Sequence, residues 1–159
     1  PRCGIPRSLV VKGGIGAVPA NLLKFIRLGG FKPFVQIHTH LSNLDDFNEE
    51  GWNECYRCCA DLYRVMPGVL GMFGSSWFYD PILAEISPRL DYLRDIPVQG
   101  GAELLFVEKG GGAIGNALAT SSSRRQLYEE GKYMPTSYML AWGRQAQSDW
   151  ATRHPRAFA

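Results

Sequence analysis

The chain has 159 residues, a length at which a single domain with a sizeable hydrophobic core is expected. Its 45% hydrophobic and 20% charged residues are typical of a globular protein. The 17 basic and 15 acidic residues give a net charge of +2, which is too small to argue for a nucleic-acid partner. No apolar run reaches the length of a membrane span, so the sequence predicts no membrane partner either.

Predicted strands and helices alternate along the first half of the chain, after an irregular arm at residues 1–8. Hydrophobic periodicity and glycine or proline end signals predict a strand at 8–11, a helix at 20–28, a strand at 34–41, a helix at 43–66 and a strand at 69–73. Apolar and polar side chains alternate in the strand at 34–41, so His38 and His40 lie on the same face. Asn43 is expected to cap the helix that follows.

Three of the four cysteines, Cys55, Cys58 and Cys59, fall in one five-residue stretch of that predicted helix. Positions so close on one helix do not bring cysteines into disulfide geometry. A second cysteine cluster with the spacing of a zinc site is absent from the sequence. We therefore expect reduced cysteines, no bound metal and a cytoplasmic setting.

The stretch from Gly71 to Leu90 is the most informative part of the sequence. After the strand, a polar turn containing Ser75 and Ser76 is predicted, and an aromatic cluster begins at Trp77. Asp80 is expected to cap the next helix, which begins at the following proline. Small hydroxyl residues beside a helix N-terminus can bind an anion or a carbonyl oxygen, so Ser75, Ser76 and Trp77 are expected to shape a substrate pocket. Alternatively, the serines form only a turn and the tryptophan belongs to the core.

The second half of the chain continues the alternation and leads to the prediction of an α/β fold. It contains predicted strands at 102–107 and 137–142, helices at 116–119, 124–130 and 145–153, and an irregular tail at 154–159. Together these elements predict one domain over residues 1–159. Its architecture is expected to be a mixed central sheet of about five to seven strands with helices on both faces.

A glycine-rich loop, residues 110–115, fits the pattern G-x-G-x-x-G between a predicted strand and a predicted helix. Backbone N–H groups of such a loop can approach a pyrophosphate at a helix N-terminus. A dinucleotide site also needs an acidic residue about 20 positions later on a second strand, whereas Glu129 and Glu130 lie in a predicted helix. The loop is therefore either a phosphate cradle or a flexible turn.

The order of strand, glycine-rich loop, helix, Gln126–Tyr133 segment and final strand resembles the GNAT acyltransferase superfamily. The resemblance implies that the loop binds the pyrophosphate of coenzyme A and that Tyr128 protonates the leaving thiolate. The implied coenzyme-binding residues are Lys109, Gly110, Gly111, Gly112, Ala113 and Gly115. The chain departs from the family in having Glu108-Lys109 where a leading Arg or Gln is usual. A split between two parallel strands beside Gly110 would support the resemblance.

Residues 34–142 also resemble a narrower group, the GNAT-like C-terminal domain of uncharacterised bacterial acyltransferase-like proteins. The counterparts are a strand with Ile37-His38, an acidic helix at 45–66 and the segment Ser76-Trp77-Phe78-Tyr79-Asp80-Pro81-Ile82-Leu83. This resemblance implies a GNAT-like α/β fold.

The resemblance implies an acyltransferase that moves an acyl group from acyl-coenzyme A or a carrier-protein thioester to an amine or hydroxyl of a small-molecule substrate. His38 or His40 would remove the proton of the acceptor, since imidazole is a ready general base, although both histidines are equally compatible with solvated or packed positions. Two alternatives stay open: a non-enzymatic module of the same fold that binds a small ligand or a partner chain, and a nucleotide-binding oxidoreductase. A homodimer is also left open.

Overall fold

A computed structural model of the chain describes residues 2–3, 18–29, 32–38 and 47–156. Within these ranges, five strands form one sheet in the order β1-β2-β3-β5-β4. The strands are β1 (Arg2–Cys3), β2 (Phe34–Gln36), β3 (Gly71–Ser76), β4 (Glu103–Lys109) and β5 (Thr136–Gly143). The helices of the described residues are α1 (Val18–Arg27), α2 (Glu49–Val65), α3 (Leu83–Ile86), α4 (Tyr92–Gln99), α5 (Gly112–Leu118), α6 (Ser122–Glu129) and α7 (Arg144–Arg153), with 3-10 turns at Trp77–Tyr79 and Pro88–Leu90.

The sheet is mixed, because β2 pairs in parallel with β3 while β5 pairs antiparallel with both β3 and β4. Strands β3 and β4 therefore run in the same direction on either side of β5. The carboxyl ends of β2, β3 and β4 consequently meet at one edge of the sheet. This architecture confirms the predicted α/β class with a mixed central sheet.

Alternate residues of the strands face two separate hydrophobic clusters. One face carries Met72, Leu140 and Trp142 and packs against side chains of α2, α4 and α7. The other face includes Phe73 and packs against Leu28, which follows α1. Helices therefore lie on both faces of the sheet, as predicted from the alternation of elements.

Trp142 is the centre of the larger cluster. Its ring lies 5.5 Å from the ring of Tyr56 on α2 and 5.2 Å from that of Trp150 on α7, measured between centroids. Its indole N–H donates to the carbonyl of Gly100 at 2.9 Å, so the polar atom of this fully buried side chain is satisfied. The contacts join α2 and α7 to the C-terminal end of β5.

Two predicted boundaries in the first half of the chain are wrong. Helix α2 begins at Glu49, and its cap is Asn48, whose side chain accepts a hydrogen bond from the N–H of Gly51 at 2.9 Å. The predicted cap, Asn43, lies outside the described residues. Arg2–Cys3 was expected in an irregular arm, but this dipeptide pairs with β2 and satisfies backbone groups along that strand.

Ser75 and Ser76 belong to strand β3 and do not form the predicted turn. They pair with Met139 and Tyr138 of β5, which extends the antiparallel ladder. Glycine and serine have low intrinsic strand preference, but the neighbouring strand supplies partners for their backbone groups. The two serines consequently reach the carboxyl edge of the sheet in extended conformation.

Asp80 connects this edge to the helical segment that follows. One carboxylate oxygen accepts the N–H of Ile82 at 3.3 Å, and the other accepts the N–H of Thr136 at 3.1 Å. Helix α3 begins at Leu83, so the expectation that Asp80 is the direct N-cap of a helix starting at Pro81 is wrong by two residues. The carboxylate instead caps the turn before the helix. Burial raises the pKa of Asp80, while the two N–H donors oppose that effect.

We expect Asp80→Ala to lower the free energy of unfolding by about 1–3 kcal/mol, because the N–H of Thr136 is then buried without an acceptor. Asp80→Asn keeps a carbonyl oxygen in place and should cost less than the alanine variant. Urea denaturation of both variants measures the difference. Equal losses in the two variants would contradict the role of the hydrogen bonds.

Candidate functional site

A cleft of about 1110 Å³ lies at the edge where β2, β3 and β4 end. It is bordered by the ends of these strands, the first turn of α2, the two 3-10 turns and α5. In open α/β sheets, ligands bind outside the carboxyl ends of the strands. Pockets for small molecules typically have volumes of about 300–1,000 Å³, so this cleft is large enough for an organic ligand.

One side of the cleft is a continuous aromatic wall, formed by Trp77, Phe78, Phe47 and Trp52. Successive ring centroids along this wall are 4.4 Å, 5.4 Å and 5.9 Å apart. Trp77 is only 7% exposed and also contacts Leu83, so it belongs to the core as well as to the wall of the cleft. The wall joins the 3-10 turn after β3 to the start of α2, two segments that lie far apart in the sequence.

Local backbone geometry explains why the wall folds back over β3. Gly74 lies beneath the 3-10 turn, where a Cβ would lie 2.7 Å from the hydroxyl of Tyr79 and 3.0 Å from Cγ1 of Ile37. Only a glycine allows so close an approach. Ser76 caps the same turn, since its hydroxyl accepts the N–H of Phe78 at 3.2 Å. Ser76 is thus held by a structural hydrogen bond at the cleft.

Many of the other lining residues are polar, and they stand among further apolar and aromatic residues such as Ile37, Leu90 and Tyr92. The polar groups include the imidazole of His38, the hydroxyl and amide groups of Ser75, Ser76, Asn116, Thr120 and Ser137, the carboxylates of Glu49 and Glu108, and the guanidinium groups of Arg89 and Arg124. The N–H of Ile37 donates to the carbonyl of Phe73 at 2.9 Å, so the parallel ladder continues beyond β2 and brings His38 alongside the end of β3. A cleft that combines an aromatic wall with polar side chains suits an amphipathic organic molecule.

The structure brings some of the predicted site residues together and separates others. His38, Ser75, Ser76 and Trp77 line the same cleft. His40 lies outside the described residues. Tyr128 lies on α6, half-exposed, and does not line the cleft.

The glycine-rich loop only touches the cleft. Gly112 and Ala113 line it, whereas Lys109, Gly110, Gly111 and Gly115 do not. The N–H of Gly110 donates to the carbonyl of Pro135 at 2.7 Å and is not free for a ligand. A carboxylate oxygen of Glu108 lies 3.0 Å from the place where a Cβ of Gly111 would be, so negative charge is already present beside the loop. Strand β4 leads into the loop, and the strand that pairs with β4 among the described residues, β5, is antiparallel to it. The expected split between two parallel strands beside Gly110 is therefore absent from the described residues.

Sequence reasoning missed the aromatic residues of α2 and both cleft arginines. Phe47 and Trp52 lie 30 and 25 positions before Trp77, and their periodicity indicates only a buried helix face. Arg124 is 3% exposed, although arginine is rarely so buried. The signal that could have found it is the near absence of apolar residues in α6, which leaves an arginine to face the interior.

The three cysteines of α2 are free, and Cys59 is buried while Cys58 is exposed. The hydrogen bond with the Cys55 thiol, together with burial, raises the pKa of Cys59. Over the part of the chain that the structure describes, no cluster of three or more His, Cys, Asp or Glu residues is arranged to hold a metal ion. No helix in that part is long and apolar enough to cross a membrane.

No protein-family model matches the chain, and neither the curated proteins nor the solved structures contain a match.

We expect Trp77→Ala to lower the free energy of unfolding by about 3–5 kcal/mol, because it removes a large buried ring that packs on Leu83. Val65→Ala, at an exposed position near the end of α2, serves as the control and should change stability by no more than about 0.5 kcal/mol. Urea denaturation checks both. A similar small change in the two variants would show that the aromatic wall is not part of the core.

Proposed function

We propose that the protein binds a small organic molecule in the cleft at the carboxyl edge of its sheet. The observation that supports this proposal is the combination of the aromatic wall with polar side chains in the lining of a single cleft. Aromatic rings supply contact area for the apolar part of a ligand, and the polar groups fix its orientation. This proposal corresponds to the ligand-binding alternative that the sequence left open.

The aromatic wall is partly exposed, so a ligand that covers it gains free energy by removing apolar surface from water. Phe47 and Phe78 are each only half-buried. Covering apolar surface stabilises a complex by about 25 cal/mol per Å², before the cost of immobilising the ligand. A ligand the size of a fused pair of aromatic rings fits well within the volume of the cleft.

We expect a neutral naphthalene compound such as 2-naphthamide to bind saturably and to change the tryptophan fluorescence, because Trp52 and Trp77 line the cleft. Ser75→Trp places a large ring at an exposed strand position inside the cleft and should weaken binding by about tenfold or more, equivalent to about 1.4 kcal/mol. Thr152→Trp, on an exposed position of α7 away from the cleft, is the matched control. Equal affinity in both variants would overturn the assignment of the cleft as the ligand site.

Acyl transfer from a thioester is a second proposal, favoured by His38 lying in the same cleft as Gly112 and Ala113. In this scheme His38 removes the proton from an amine or hydroxyl held against the aromatic wall, while the thioester lies over the glycine-rich loop. Its proton donor to the leaving thiolate is Tyr128, which would act on a coenzyme extending beyond the cleft. The scheme also places the coenzyme pyrophosphate close to the carboxylate of Glu108, which is unfavourable for two anions.

The oxidoreductase alternative has less support from the fold. Dinucleotide-binding units place the glycine-rich loop between parallel strands joined by a helix. Here the loop leads through α5 and α6 into β5, which is antiparallel to β4. The motif in the sequence therefore lies in a different supersecondary unit.

Titration calorimetry with acetyl-coenzyme A, coenzyme A and NAD tests these alternatives. If the pyrophosphate binds over the loop, Gly112→Val should weaken coenzyme A binding by about tenfold or more, because a side chain blocks the approach of the phosphates. A Cβ at this position would have 3.5 Å to the nearest atom, so the fold should tolerate the change. Glu108→Gln should strengthen the same binding by removing a negative charge. Absence of thioester binding in the wild type would eliminate the acyltransferase proposal and leave ligand binding intact.

A further inference from the structure

Arg124 is a buried cation at the Trp77 end of the aromatic wall. Its guanidinium carbon lies 4.6 Å from the centroid of the Trp77 ring, and the residue is 3% exposed. Its Nε donates to the carbonyl of Ala117 at 2.8 Å, and its Nη1 donates to the hydroxyl of Ser87 at 3.2 Å. Both acceptors are neutral, so they satisfy N–H groups without neutralising the charge.

No carboxylate among the described residues forms an ion pair with Arg124 or with Arg89. A buried charge without a counter-ion is unfavourable, and it normally has a partner of opposite sign. Burial lowers the pKa of Arg124, and the positive charge of Arg89 adds to this effect. Both residues line the cleft, so positive charge from two sources acts on the same region.

The hydroxyl of Tyr133 is a second unsatisfied group near Arg124. Tyr133 is 3% exposed, and its hydroxyl has no hydrogen-bond partner among the described residues. Burial raises the pKa of Tyr133 to about 12, with a contribution from Asp80, while the charge of Arg124 acts in the opposite direction. A buried donor without an acceptor is rare in folded proteins. Tyr133 does not line the cleft, so its hydroxyl is not assigned as a contact of the ligand.

Two carboxylates line the described part of the cleft, and neither forms an ion pair with Arg124 or Arg89. Glu49 belongs to the first turn of α2, beside Phe47 and Trp52 at the other end of the wall. Glu108 lies against Gly111 and Gly112 of the glycine-rich loop. Arg124 therefore brings to the Trp77 end of the cleft a guanidinium group that no carboxylate of the described residues pairs.

We infer that the ligand of the cleft is an organic anion, with a carboxylate or phosphate bound by Arg124 and Arg89 and an apolar body lying along the aromatic wall. This inference rests on the proposed ligand-binding function and adds the chemical class of the ligand. Guanidinium groups hold planar or tetrahedral oxyanions through parallel N–H donors, which is the geometry that both headgroups offer. An arginine stacked on an indole ring keeps its donors fixed in one plane.

Calorimetric titration of 2-naphthoate, 2-naphthyl phosphate and neutral 2-naphthamide tests the inference. We expect the better of the two anions to bind about tenfold or more tightly than the amide at low salt, with the advantage declining as salt is added. The comparison of naphthoate with naphthyl phosphate distinguishes the two headgroups. The advantage of the anion should fall in Arg89→Gln and in Arg124→Gln.

Arg125→Gln is the matched control. Arg125 adjoins Arg124 and also donates to a carbonyl of α5, that of Leu118, but it does not line the cleft. The anion should retain its advantage in this variant. If Arg124→Gln loses its native circular dichroism, the exposed Arg89 variant and the salt dependence of the wild type decide the question.

The possible failures are distinguishable. Equal affinity of the anions and the amide in the wild type would overturn the inference while leaving ligand binding in place. An unchanged anion advantage in both cleft arginine variants would also overturn it and assign Arg124 a structural role only. Absence of binding by all three compounds would remove the proposed ligand-binding function, and the inference with it.

Discussion

The carboxylate of Asp80 fixes the geometry on which the cleft depends. It accepts the N–H of Thr136 at the start of β5 and the N–H of Ile82 before α3. The aromatic turn Trp77–Tyr79 lies between the end of β3 and this carboxylate, so both of its ends are anchored to the sheet. Thr136 also directly precedes Ser137 of the polar lining. One buried hydrogen-bonded residue thereby positions parts of both sides of the site.

The sequence predicts the fold best where local signals and tertiary packing agree. Helix α6 was predicted at 124–130 and lies at Ser122–Glu129, where the hydroxyl of Ser121 accepts an N–H of the first turn, as a serine does at a helix N-terminus in any context. The end of β3 could not be predicted in this way. Gly74, Ser75 and Ser76 favour a turn when they are considered alone, and only the adjacent strand β5 makes them extended. The start of α2 similarly depended on which of two nearby asparagines acted as its cap.

The candidate site could be predicted only in part, because its members come together through the sheet. The parallel register of β2 and β3 places His38 beside Ser75 and Ser76. The face of the strand on which His38 lies follows directly from the alternation of apolar and polar residues in the sequence. The position of Arg124 has no such local cause. Its burial depends on Trp77 and on the carbonyl of Ala117, which lie on different elements. Patterns in a single sequence show which face of a helix or strand is apolar. They do not show which other helices or turns Arg124 contacts.

The glycine-rich loop and the arginine end of the cleft compete as sites for an anion, and their charges favour the arginine end. Two features make the loop a poor anion site. The N–H of Gly110 already donates to the carbonyl of Pro135, and the carboxylate of Glu108 lies nearby. An anion placed there meets like charge. At Trp77, by contrast, the buried charge of Arg124 lacks a counter-ion among the described residues. The glycine-rich pattern that suggests phosphate binding in the sequence therefore has a carboxylate beside it, whereas the guanidinium of Arg124 is complementary to the anion of the proposed ligand.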